Sequence, residues 1–150
     1  MLRLSLVMNT LQQKSYKLFP HTSDLGIEVV GTSLKELFHN AGLALLDLVV
    51  DPATIAAHET VELSVRGDDR ELLFREWLGE LLYQVFVKEF VFKTIQITRL
   101  DNYSLQARAI GEKIDYRRHQ LKRELKSITY HQLKVSEIDD SWLGRFVVDI

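Results

Sequence analysis

Leu34, Leu37, Phe38, Ala41, Leu45 and Leu48 recur at the spacing of one helical face. An apolar stripe of that period predicts an amphipathic helix. Ser33 and Glu36 just before it have the spacing of a capping box, in which hydroxyl and carboxylate each serve a backbone N–H. Asp51-Pro52 ends the helix, because the residue before proline disfavours the α region. A second stripe, Leu72, Leu73, Trp77, Leu78, Leu81, Leu82, Val85 and Phe86, follows Asp68 and Asp69, either of which can serve as the cap. This face is wide, which suits packing against a sheet. Apolar alternation or short apolar runs predict strands at residues 16–19, 25–30, 60–66, 90–100, 103–110, 125–135 and 145–149. Asp101-Asn102 reads as a two-residue hairpin loop. The order is ββαβα followed by four strands. It predicts an α+β fold with two amphipathic helices packed on a mostly antiparallel sheet.

At 150 residues and 46% hydrophobic, the chain suits a single domain that needs no staple. Residues 16–150 are expected to form it, with residues 1–15 as a flexible N-terminal extension. Cysteine is absent, which excludes disulfide frameworks, thiolate metal sites and thiol catalysis. Nineteen basic against 21 acidic residues give a formal charge of -2, unlike the basic excess of a dedicated nucleic-acid binder. No run approaches the ~20 apolar residues of a membrane span. The N-terminus has neither the h-region nor the cleavage site of a secretory signal. The expected location is the cytoplasm, with no membrane partner.

Three places could carry chemistry. Pro20 to Gly26 sets His21, Thr22, Ser23 and Asp24 between two strands. It is either a plain turn, with Gly26 relaxing φ, or a polar surface. Asp149 lies beside Ile150, whose α-carboxylate would be a second anionic oxygen donor. Such donors suit a hard cation, and Asp24 could supply a third. The other reading of Asp149 is solvation of a strand end. Lys126 follows a run of basic residues that includes Arg117, Arg118, Lys122 and Arg123. It is either solvated surface or a phosphate contact. Phosphate-cradling glycine motifs, HExxH and GxSxG are all missing.

Tyr16-Lys17-Leu18-Phe19-Pro20-His21-Thr22-Ser23-Asp24-Leu25-Gly26, then Glu124-Leu125-Lys126-Ser127-Ile128-Thr129-Tyr130-His131, then Val148-Asp149-Ile150 together resemble the archease family, from Tyr16 to Ile150. Ser23 stands where the family has Ala, and residues 119–124 lack its frequent Pro-Gly. The resemblance implies a protein cofactor rather than an enzyme. It would activate a GTP-dependent RtcB-type RNA ligase in tRNA splicing and RNA repair, promoting ligase guanylylation and multiple turnover. RNA would be met indirectly, through the ligase. The resemblance also implies a divalent metal, Ca²⁺ by preference with Mg²⁺ or Mn²⁺ as alternatives, held by Asp24, Asp149 and Ile150. His21 and Lys126 are the supporting candidates beside it. Two other function classes are a metal-dependent phosphohydrolase and a general chaperone or adaptor for nucleic-acid enzymes.

Overall fold

Ser33 and Asp69 open the two helices, each with its side chain accepting a backbone N–H three residues on: Ser33 from Glu36 at 3.1 Å and Asp69 from Leu72 at 2.8 Å. In the first cap the Glu36 carboxylate returns to the Thr32 N–H at 3.2 Å and hydroxyl at 2.8 Å. The box is thus closed one residue earlier than the standard form. A computed structural model describes residues 16–21 and 24–150, without the side chains of Pro20 and His21. The expected N-terminal extension and the Thr22-Ser23 turn lie outside the described residues.

The elements run β1 (Tyr16–His21), β2 (Asp24–Gly31), α1 (Leu34–Val49), a 3-10 turn (Pro52–Thr54), β3 (Glu59–Arg66), α2 (Arg70–Phe86), β4 (Phe90–Leu100), β5 (Ser104–Lys113), β6 (Ser127–Ile128), β7 (Lys134–Ile138) and β8 (Ser141–Asp149). The α+β class holds. The expected single sheet is in fact two, both wholly antiparallel. One has the order β1-β2-β8-β6, with β7 also on β8, and the other the order β3-β5-β4. The helices touch both: α1 packs on β2 and β4, and α2 on β3, β4, β6 and β7. This explains the breadth of the apolar face of α2.

Five strands follow α2, not four, because the strand expected at 125–135 breaks. Thr129 Oγ1 accepts the His131 N–H at 3.2 Å, and Gln132 takes a positive φ of 54°. A side-chain turn of this kind competes directly with the strand ladder. The loop after β4 comprises Asp101 to Tyr103, one residue longer than expected. Asp101 organises it by accepting the N–H groups of Tyr103 and Ser104, each at 2.8 Å.

One core joins all layers. Phe38 of α1 meets Phe74 of α2 edge-on at 5.0 Å, and Phe74 meets Phe146 of β8 at 5.8 Å. Trp77, fully buried, donates its indole N–H to the Phe38 carbonyl at 2.9 Å. Ile27, Val29, Phe146 and Val148 belong to this core. Strand alternation therefore sends Asp24, Gly26 and Glu28, with Val147 and Asp149, to the sheet face away from the helices.

Candidate metal centre at the end of β2 and β8

The ladder brings three of the marked positions into one row. His21 pairs with Asp24, and Asp24 pairs with Asp149. On the other side of β8, Ser127 pairs with Asp149. Directly opposed residues of antiparallel strands carry their side chains on one face, with Cβ atoms ~5 Å apart. Asp24 and Asp149, both half-buried, are therefore neighbouring carboxylates although 125 positions separate them in the chain. Their backbones are fixed from both flanks: the Lys126 N–H donates to the Asp149 carbonyl at 2.8 Å.

The same face carries a further acid, Glu28, four residues along β2 from Asp24. Arg145 of β8 forms an ion pair with Glu28, which is buried. Arg145 also stacks over the Phe19 ring at 5.1 Å. That ring lies flat on Gly26, where an added Cβ would come within 2.0 Å of it. Gly26 is thus required by close approach and not by φ, since no described glycine has a positive φ. Among the described residues, no lysine or arginine pairs with Asp149.

Opposed like charges are unfavourable, and a hard divalent cation between them removes the penalty. The donor set therefore fits such an ion. Ile150, half exposed, follows Asp149 directly and is the third position the family pattern implies. Among the described residues, no three His, Asp or Glu side chains gather around a single point. A third ligand would thus have to be a main-chain or terminal oxygen, or come from outside the described set.

Lys126 stands just before β6, exposed, where it lines a groove with α2. The basic run is also partly committed. Arg118 forks onto Glu112 at 2.7 and 3.2 Å, and the Lys122 ammonium donates to the Asp47 carbonyl at 2.9 Å.

Sequence reasoning did not find the clamp around Glu112. This buried carboxylate accepts Ala56 N–H at 2.6 Å, the Arg118 guanidinium, and Nε2 of the fully buried His119 at 3.0 Å. The Asp115 N–H donates to His119 Nδ1 at 2.9 Å, so the proton lies on Nε2, facing Glu112. These donors, Arg118 foremost, hold the Glu112 carboxyl down at about 2. The clamp ties the foot of the 114–126 segment to the body. A Val50–Leu121 bridge and a Lys122 N–H bond to the Val49 carbonyl at 2.7 Å carry it onward to β6. The only sequence signal was a Glu and a His seven residues apart across a polar stretch, which is no recognised motif.

The Archease protein family (MTH1598/TM1083) matches residues 16–150. A protein archease of Methanosarcina barkeri is 34% identical over 143 residues, covering 93% of this chain and 98% of its own. One of Pyrococcus abyssi is 36% identical over 141 residues, covering 91% and 99%. The solution structure of Methanobacterium thermoautotrophicum protein 1598 is similar with a TM-score of 0.76 and 29% identity, covering 91% of this chain and 99% of that one. A crystal structure from Thermotoga maritima, of an archease called a possible chaperone, has a TM-score of 0.59 and 25% identity over 89% and 96% of the two chains. Family pattern, chain length and fold agree: the chain belongs to the archease family.

Proposed function

We propose that the protein activates a GTP-dependent RtcB-type RNA ligase, promoting guanylylation and repeated turnover, and has no catalytic activity of its own. The reading comes from the family resemblance. The observation that carries it is the opposition of Asp24 and Asp149 across β2 and β8, at the point where the family pattern implies a metal. Asp24, Asp149 and a carboxyl oxygen of Ile150 would hold the divalent cation, with Ca²⁺ the expected ion. When bound, the cation supplies positive charge against which polyphosphate repulsion is cancelled.

The chain's own part is to present that charge rigidly. The β2–β8–β6 ladder fixes the two aspartates. His21, the register partner of Asp24, stands at the same end of the sheet. RNA is met through the ligase, and the pair works in the cytoplasm.

The test is the guanylylated fraction of a purified RtcB-type ligase incubated with GTP and Mn²⁺, with wild type, Asp24→Asn or Asp149→Asn added. The expected result is stimulation by wild type and at least a tenfold smaller effect with either variant. Equal stimulation by all three would instead favour a general chaperone, which has no need of the acid pair.

A further inference from the structure

β4 is the outer strand of its sheet. It pairs with β5 on one side, and among the described residues no backbone segment pairs with its other side. The ladder skips Lys93 and Thr98, so the regular open stretch is Thr94 to Ile97. An open edge of this kind is a template for a further strand. α1 runs beside it and leaves a groove in two parts. A cavity of about 360 Å³ lies between Leu43, Leu46 and Val50 of α1 and Phe92 of β4. A second, of about 280 Å³, lies between the first turns of α1 and Ile95 and Ile97 of β4.

The chain itself enters at this groove. Tyr16, where the described residues begin, stands in the wall of the larger cavity. Its hydroxyl donates to the Asp47 carboxylate at 2.7 Å, anchoring the start of β1 on α1. Residues 1–15 therefore lead directly into the groove. Their sequence has what the groove and the edge lack. Leu2, Leu4, Leu6 and Met8 alternate with Arg3, Ser5, Val7 and Asn9, of which only Val7 is apolar. A period of two is the pattern of a strand with one buried face. Thr10 to Ser15 can span up to ~20 Å, enough to carry residues 2–9 from Tyr16 to the β4 edge. The segment also lies outside the part matched to the archease family, which begins at residue 16.

We infer that residues 2–9 add a strand to the open edge of β4, with Leu2, Leu4, Leu6 and Met8 turned into the groove beside α1. The three-stranded sheet becomes four-stranded, and its edge is closed to pairing with another chain. The inference goes beyond the proposed function and does not depend on it, since Asp24 and Asp149 lie in the other sheet.

The experiment is residue-resolved hydrogen exchange by NMR on the full chain, comparing wild type with the double variant Leu4→Asp, Leu6→Asp. The readout is the amides of Thr94 to Ile97 that point away from β5, while the amides bonded to β5 report the fold. The outward amides should exchange at least tenfold faster in the variant, with the inward ones unchanged. Equal exchange of the outward amides in the two proteins, fast or slow, would overturn the inference. The chain has no cysteine, so a paramagnetic label on Ser5→Cys, at an outward position, gives an independent measurement that leaves the apolar positions intact. Broadening of the Thr94 to Ile97 amides within the labelled molecule is expected, and its absence would overturn the inference. Broadening seen only in isotope-labelled wild type mixed with spin-labelled chain would assign the edge to a second copy and overturn it as well.

Discussion

Replacing Asp149 by Asn removes one of two carboxylates opposed across β2 and β8. At ~5 Å, two unit charges repel by about 1 kcal/mol in a water-like medium and about 3 kcal/mol at the lower dielectric of a protein surface. Both side chains are partly exposed to water, so the lower figure applies. In excess chelator Asp149→Asn should therefore be more stable than wild type by about 1 kcal/mol, or roughly 2–4 °C in Tm for a chain of this size. Saturating Ca²⁺ should reverse the order. At one hundred times the dissociation constant, a cation that binds only the folded state adds about 2.7 kcal/mol. Wild type gains that amount and the variant gains nearly none. The assay is thermal unfolding of both proteins in EDTA and in a Ca²⁺ series. A variant less stable than wild type in EDTA, or an equal rise of both in Ca²⁺, would refute a metal held between these two residues.

Glu112→Gln should flatten the acid limb of stability. The folded carboxyl is held at about 2, below its unfolded value, so its contribution is present above the unfolded pKa and is lost as pH falls toward 2. Urea unfolding between pH 6 and pH 2.5 checks this, and parallel curves would contradict it. Hydrogen exchange in residues 114–124 should quicken in the same variant, since the clamp on that segment is weakened. Trp77→Phe leaves the buried Phe38 carbonyl without its indole donor and should cost about 1–3 kcal/mol in urea unfolding. Gly26→Ala forces the Phe19 ring off β2 and should cost about 1–3 kcal/mol; a neutral result would show that the ring moves freely. Extending the chain beyond Ile150 should lower Ca²⁺ affinity at least tenfold by calorimetry, whereas an N-terminal tag should not.

The helices were legible because each carries both a cap and a stripe: Ser33 with Glu36, Asp69 before Leu73 and Trp77. Even so, Phe74, central to the aromatic contacts of the core, was not in the predicted stripe. Its place is set by Phe38 and Phe146 from other elements, which no window along α2 contains. The strand expected at 125–135 fails because apolar and polar positions there do not alternate. Leu125 and Ile128 are both buried, three residues apart, with exposed Lys126 and Ser127 between them. Asp24 and Asp149 each stood out locally, but only the ladder makes them neighbours, and register is a property of two strands together. Arg118 looked like part of a basic patch, and its true partner, Glu112, lies on β5.

The most direct measurement is RNA ligation by a purified RtcB-type ligase with GTP and RNA in large excess, with and without this protein. Product should stop near one equivalent of ligase in its absence and rise well beyond that in its presence, with Asp24→Asn failing to produce the rise. Turnover unchanged by the wild-type protein would contradict its role as an activator.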